Sequence, residues 1–167
     1  MFVTFAEEIA LNNILEQGSC GDNLTYTITK DKVLTILGNG ALTDSNGWYQ
    51  NQEIEKIVIE NGVTSIREEA FRDLVNVKSV VMGDSVEIIE ARAFMGLHHL
   101  ADISFSKNLK EVGDMAFSWC YDLQDAVFPE SLKKIGSNIF QDSGNIRKIV
   151  IQEGVTDIAS GAFSGCK

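Results

Sequence analysis

The chain has 167 residues, 44% of them hydrophobic, and its 24 acidic against 14 basic side chains give a net charge of −10. That size and apolar share suffice for one domain or for a repeat array with a cap. The acidity argues against nucleic acid, which wants a basic face, and against anionic lipid, and no apolar run approaches the roughly 18 residues of a membrane-spanning helix.

Residues 1–17 lack an early Lys or Arg, and Glu7 and Glu8 interrupt their apolar character, so they do not read as a signal peptide. Phe2, Phe5, Ile9 and Leu11 outline an amphipathic helix that would cover the open first turn of a stack, with an expression remnant as the competing reading. Residues 18–53 read as a β-hairpin cap. Its strands lie around 24–29 and 33–37, and Lys30-Asp31-Lys32 forms the tip. Gly38-Asn39-Gly40 then turns the chain out of the hairpin; it leads into Ala41-Leu42-Thr43 and fits neither a dinucleotide fingerprint nor a phosphate loop.

From residue 54 the chain is periodic. Phe71, Phe94, Phe117, Phe140 and Phe163 stand 23 residues apart without drift and divide 54–167 into five units: 54–76, 77–99, 100–122, 123–145 and 146–167. A fixed period of this length is the mark of a solenoid, in which each unit buries its apolar residues against its neighbours. Slots are counted from each phenylalanine. Slot −14 holds Ile57, Val80, Ile103, Ala126 and Ile149, and slot −12 holds Ile59, Met82, Phe105, Phe128 and Ile151, a period-two pair that predicts a strand. Turn residues at −10 and −9 bend the chain, and a second extended piece runs from slot −8 to slot −5, as in Val63–Ile66. Slots −1, 0 and +3 carry Ala, Phe and a small or apolar residue, read as one face of a short helical turn. Ile139 for Ala and Ser143 for Cys in the fourth unit predict a slightly displaced turn there.

These features resemble the BspA-like class of leucine-rich repeats. The resemblance rests on Val63-Thr64-Ser65-Ile66 to Ala70-Phe71, on Leu132-Lys133-Lys134-Ile135-Gly136 to Phe140, on Ser118-Trp119-Cys120 and Ser164-Gly165-Cys166, and on the turn Pro129-Glu130-Ser131-Leu132. Ser19-Cys20-Gly21-Asp22, Leu34-Thr35-Ile36-Leu37 and Trp48-Tyr49 resemble that family's cap, so the likeness covers residues 18–167. The expected fold is an α/β repeat solenoid: a right-handed leucine-rich-repeat stack with a parallel sheet behind a β-hairpin cap. Slot −9 departs from the asparagine ladder of other leucine-rich repeats, since it holds Gly62, Ser85, Asn108, Ser131 and Gly154.

Few residues suggest chemistry. Cys20, Cys120 and Cys166 have no Cys-x-x-Cys spacing. Cys120 and Cys166 fall in one slot two units apart, about 10 Å by strand spacing, beyond disulfide reach. His98 and His99 are adjacent, diverge, and lack a third ligand at metal-site spacing. Asp102 and Asp125 read as solvated carboxylates; calcium along an Asp column needs more oxygen ligands than the sequence places. No catalytic residue, cofactor site or metal site is therefore expected.

Outward strand positions are the better candidates. With −14 and −12 inward, one outward column reads Lys56, Ser79, Asp102, Asp125, Lys148 and another Val58, Val81, Ser104, Val127, Val150. The four valines fit a strand by propensity alone, and an exposed apolar stripe also fits a partner-binding face. The resemblance implies non-enzymatic work: adhesion to a host-cell or matrix protein by a cell-surface or secreted microbial protein, virulence-associated, with no nucleic acid and no membrane insertion. The alternative is a structural spacer or display module of a larger protein. The chain stops at Gly165-Cys166-Lys167 with no polar cap in sight, so the expectation is either a natural chain that continues or an uncapped C-terminal repeat that offers a face for a homodimer.

Overall fold

The computed structural model describes residues 13–166. The chain winds into a β-solenoid whose turns repeat every 23 residues, as the register shows: Lys56 lies beside Ser79 and Ser79 beside Asp102. Slots −15 to −12 form strands β5 (Lys56–Ile59), β7 (Ser79–Met82), β9 (Asp102–Ser104), β11 (Asp125–Val127) and β13 (Lys148–Val150). Slots −8 to −5 form β6 (Val63–Ile66) and the two-residue strands β8 (Ile88–Ile89), β10 (Glu111–Val112), β12 (Lys134–Ile135) and β14 (Asp157–Ile158). Pairing within both sets is parallel; the second set lies in one sheet, while the first set is split into a sheet that ends at β9 and a two-stranded ribbon of β11 and β13.

The cap is richer than a hairpin. Strands β2 (Leu24–Thr29) and β3 (Val33–Gly38) are antiparallel as expected. A further strand, β1 (Ile14–Gly21), pairs antiparallel with β2 and starts inside the stretch where a helix was expected. The rest of that expected helix, residues 1–12, lies outside the described residues. β1 is the edge of the first sheet, and two register irregularities along it blunt that edge against further pairing. β3 does double duty: it pairs in parallel with β5, Val33 beside Lys56 and Ile36 beside Ile59, the same offset of one repeat. Strand β4 (Gly40–Ala41) likewise pairs in parallel with β6. The second half of the cap is thus itself a turn of the solenoid. Its aromatic is Trp48, which closes the 3-10 turn Asn46–Trp48 and stacks on Phe71 at 5.6 Å.

The phenylalanine spine is real from Phe71 to Phe140, is extended by Trp48 at one end and, among the described residues, is not continued by Phe163 at the other. Rings stack from Trp48 through Phe71, Phe94, Phe117 and Phe140 at centroid distances of 5.6, 5.2, 5.3 and 5.8 Å. Tyr26 closes the column edge-on against Trp48 at 5.2 Å, and its hydroxyl donates to Glu16 at 2.9 Å, so the last ring faces the cap with its polar end satisfied. Phe163 packs on the core only in part and does not stack on Phe140 among the described residues. The backbone explains this. Phe71, Phe94 and Phe117 each donate to slot −1 of the next turn, whereas Asn138 and Ile139 donate to Gly161 and Ala162, a register slipped by one. The slip falls in the fourth unit, where Ile139 and Ser143 break the pattern. Ser143 is nonetheless satisfied, donating to the Phe117 carbonyl at 2.9 Å and accepting from the Cys120 amide at 3.1 Å.

The segment around each phenylalanine is a run of turns, not a helix. Slots −2 and +2 are left-handed in turn after turn: Glu69, Arg92, Met115 and Asn138 before the ring, and Gln50, Asp73, Trp119 and Asp142 after it, all at φ between 54 and 61°. Left-handed residues end a right-handed helix. Their strain is offset because the amides at −2, 0 and +2 point along the stack, as when Glu69, Phe71 and Asp73 donate to Ala91, Ala93 and Met95.

Candidate partner-binding face

The first sheet presents the columns that the sequence singled out. Lys56, Asp102, Asp125 and Lys148 are exposed and Ser79 is half-buried; in the second column Val81, Ser104 and Val127 are exposed, while Val58 and Val150 are half-buried. Val58 lies beside Val81 and Val81 beside Ser104, and Val127 lies beside Val150. Val81 and Val127 are 40% and 52% exposed, against 0–5% for the inward Ile57, Ile59, Val80 and Met82 of the same sheet. The alternation predicted from slot parity holds in β5, β7, β9 and β11, while in β13 Ile149 and Val150 are both half-buried. The face also extends onto the cap, where Thr35 stands beside Val58 and Thr27 beside Thr35.

The face is divided in two. β9 and β11 do not pair: the first sheet ends at β9, and β11 with β13 forms a separate ribbon. At other rungs the residues entering the strand donate to the preceding turn, Ala101 and Asp102 to Lys78 and Arg147 and Lys148 to Gln124. Among the described residues the amides of Gln124 and Asp125 have no such bond to Ala101. Two changes in the core coincide with the break. Slot −12 turns from Ile59 and Met82 to Phe105 and Phe128, whose rings meet at 4.8 Å, tilted by 32°. Slot −14 thins to Ala126 at the same rung. Bulk thus moves from one end of the strand to the other, and β11 loses the seat on β9 that matched Ile/Val pairs give the earlier strands. The second sheet and the ring stack run through unbroken. A cleft of about 370 Å³ opens at the break, lined by Asp102, Asp122, Gln124, Asp125 and Val127.

Elsewhere several acid–base pairs link successive turns. Glu55 bridges Lys32 at 2.8 Å and Lys78 at 2.5 Å, and these two ammonium groups hold its carboxyl down at about 2. Asp84 pairs with Lys107, Glu87 with Lys110 and Glu111 with Lys134. Such exposed pairs add little stability, but they fix charge order along the stack. In place of an asparagine ladder, slot −9 uses mixed donors: the Gly62 amide donates to Ser85, and the Ser131 hydroxyl contacts the carbonyls of Lys107 and Leu109.

The residues that tempted a chemical reading are placed plainly. His98 stacks on Tyr121 at 4.7 Å and His99 meets Asp122 at 2.9 Å, both on the rim of the stack. All three cysteines are free thiols; Cys20 and Cys120 are buried. Burial, aided by the Asp44 carboxylate, pushes the Cys20 thiol up to about 11, and burial pushes Cys120 up as well. The unfolded chain releases these protons near pH 9 while the fold retains them, so their stabilising effect is complete below that pH and declines above it. Under reducing conditions stability should fall steadily as pH rises from about 9 to about 10.5. Denaturant midpoints measured across that range check this, and a flat profile would contradict it.

Comparison with known proteins agrees with the geometry. No curated protein matches the chain in sequence. A leucine-rich repeat protein of Eubacterium ventriosum is similar in structure with a TM-score of 0.80 and 27% identity over 91% of this chain. The match spans 42% of that protein, so the chain accounts for well under half of its length. A leucine rich cell surface protein of Faecalibacterium prausnitzii shares the fold at 20% identity and a TM-score of 0.61, over 90% of this chain and 52% of that one. The leucine rich repeat protein of T. pallidum does so at 23% and 0.63, over 89% of both chains. A model of the BspA type leucine rich repeat region matches residues 43–167 in six copies. The copy before the five read from phenylalanine corresponds to the Trp48 turn. Slot pattern, stacked aromatics and family match converge, and the chain belongs to the BspA type leucine-rich-repeat family.

Proposed function

We propose that the chain is a protein-binding module whose partner lies across the outward face of the first sheet. One observation carries this: a column of outward valines, interrupted by Ser104 and with two members 40% and 52% exposed, runs along the divided face whose inner side is the core. Apolar side chains held in a row on a rigid surface favour a partner that covers them. Work at a bacterial cell surface or after secretion, in adhesion to a host-cell or matrix protein, is the finer form of the proposal. The F. prausnitzii protein of the same fold is a cell surface protein, which supports it. Binding rather than catalysis fits a rigid repeat scaffold several of whose carboxylates pair with lysines of neighbouring turns along its outside. A spacer or display role within a longer protein is the second reading, favoured by the partial coverage of the E. ventriosum protein.

The test is a double substitution, Val81→Glu with Val127→Glu. These side chains are already partly in water, so the fold should survive, as circular dichroism will show. Affinity for a ligand captured from host-cell or matrix extracts should fall at least about tenfold, the effect of burying an unpaired carboxylate at an interface. Unchanged affinity would move the site to another face.

A further inference from the structure

We propose that the break between β9 and β11 seats an arginine or lysine side chain carried by an extended segment of a protein partner. This rests on the first sheet being the binding face, and it names the chemistry of what binds there.

Three observations meet at the break. The first is backbone. Among the described residues, the Gln124 and Asp125 amides and the facing Ala101 carbonyl lack the bonds that join the other neighbouring turns of this sheet. All three residues are exposed, so an incoming extended backbone can reach them. The second is charge. The slot −15 column places Asp102 and Asp125 in successive turns with no base between them, as slot −10 does with Glu130 and Glu153, and the two aspartates are the pair that borders the open rung. Neither carboxylate has an ion pair or a side-chain hydrogen bond among the described residues. Like charges in adjacent rungs repel, and a cation placed between them removes that cost. Asp122, on the same cleft, is held by His99. Lys148 stands beside Asp125 in register and is the competing cation of the column. The third is shape. The cleft, about 370 Å³, has Val127 on its wall, and Val81 stands one strand beyond Ser104, so a basic residue between apolar neighbours matches both the acidic centre and these valines.

A guanidinium or ammonium suits this site better than a metal ion. Among the described residues no group of three or more His, Cys, Asp or Glu is gathered closely enough to hold a metal. An arginine brings up to five N–H donors, enough for two carboxylates and a backbone carbonyl together. A lysine brings three from a point charge.

The experiment uses the isotopically labelled full chain and a blocked pentapeptide, Thr-Val-Arg-Val-Thr, with Thr-Val-Glu-Val-Thr as its acidic counterpart. In an amide NMR titration the basic peptide should shift signals within residues 101–104 and 122–127, and the acidic peptide should not. Asp102→Asn with Asp125→Asn, both at exposed positions, should weaken binding roughly tenfold or more, the loss expected when charge-assisted hydrogen bonds are removed. Lys148→Ala should tighten it. Shifts spread over the acidic surface, equal response to the acidic peptide, or unaltered affinity in the double asparagine variant would each overturn the proposal. Shifts confined to the Val58 and Val81 rungs and indifferent to the asparagines would overturn this seat and leave the sheet-face reading standing. If Val81→Glu with Val127→Glu leaves the captured ligand's affinity unchanged, the sheet-face reading fails instead.

Discussion

Replacing Phe117 with alanine should cost about 3–5 kcal/mol, a large share of the 5–15 kcal/mol typical of a whole domain. Phe117 is fully buried, stacked between Phe94 at 5.3 Å and Phe140 at 5.8 Å, and met edge-on by Phe105 at 5.6 Å. Its position adds a second consequence. The first sheet is already interrupted between the third and fourth predicted units, so the ring stack, the second sheet and the turn hydrogen bonds beside the rings carry the coupling between the two halves of the solenoid. Stability in such arrays is close to a sum of nearest-neighbour terms. Removing this ring should therefore split urea unfolding into two steps, with the C-terminal half melting first. Phe71→Ala, at an unbroken rung, should lower the midpoint without splitting the transition. A single shared transition in Phe117→Ala would show that coupling across the break does not depend on the stack.

Replacing Trp48 with alanine should cost a similar 3–5 kcal/mol and should act on the cap. Trp48 is buried, stacks on Phe71, takes the edge of Tyr26, and donates from its indole nitrogen to the Ala70 carbonyl at 2.8 Å. Alanine removes the ring and also leaves that carbonyl without its donor, a loss of about 1–3 kcal/mol when buried. Trp48→Phe keeps the stack and loses only the donor, so it should retain most of the stability. The tyrosine beyond has no room to follow a shrinking neighbour. A methyl on Gly47 would come within 2.2 Å of its ring and one on Gly18 within 2.7 Å. Fluorescence-monitored unfolding of the two variants measures the difference, and equal losses would contradict the hydrogen-bond argument.

The contrast between these two aromatics shows what could be read from the sequence. Phe71 to Phe163 carry one residue type on one period, and the apolar slots around them alternate, so the solenoid and its outward columns were legible. Trp48 stands on the same period before Phe71, with Leu34 and Ile36 in the −14 and −12 slots of its own turn. The change of residue type hid that turn inside the cap. The left-handed slots were illegible for a different reason. Gly96, Gly161 and Gly165 mark them, but Glu69, Asp73, Met115 and Trp119 occupy the same conformation without a glycine to signal it. They are held there by hydrogen bonds to the next turn, a tertiary cause that local propensity does not contain. The break in the first sheet is legible only in retrospect. Phe105, Phe128 and Ala126 each look like ordinary apolar occupants, and their combined effect appears only when two strands must share one register. Asp102 and Asp125 were visible as a carboxylate pair, but the missing rung beside them was not.

The measurement that tests the account most directly is native-state amide hydrogen exchange, resolved residue by residue. Buried, hydrogen-bonded amides open slowly and unpaired ones do not. The amides of Phe71, Phe94 and Phe117 donate along the stack and should be protected at a strict interval of one repeat. Those of Gln124 and Asp125 should exchange at least about tenfold faster than their equivalents Ala101 and Asp102. Protection without that recurrence would contradict the stacked solenoid, and protected Gln124 and Asp125 amides would contradict the open rung on its binding face.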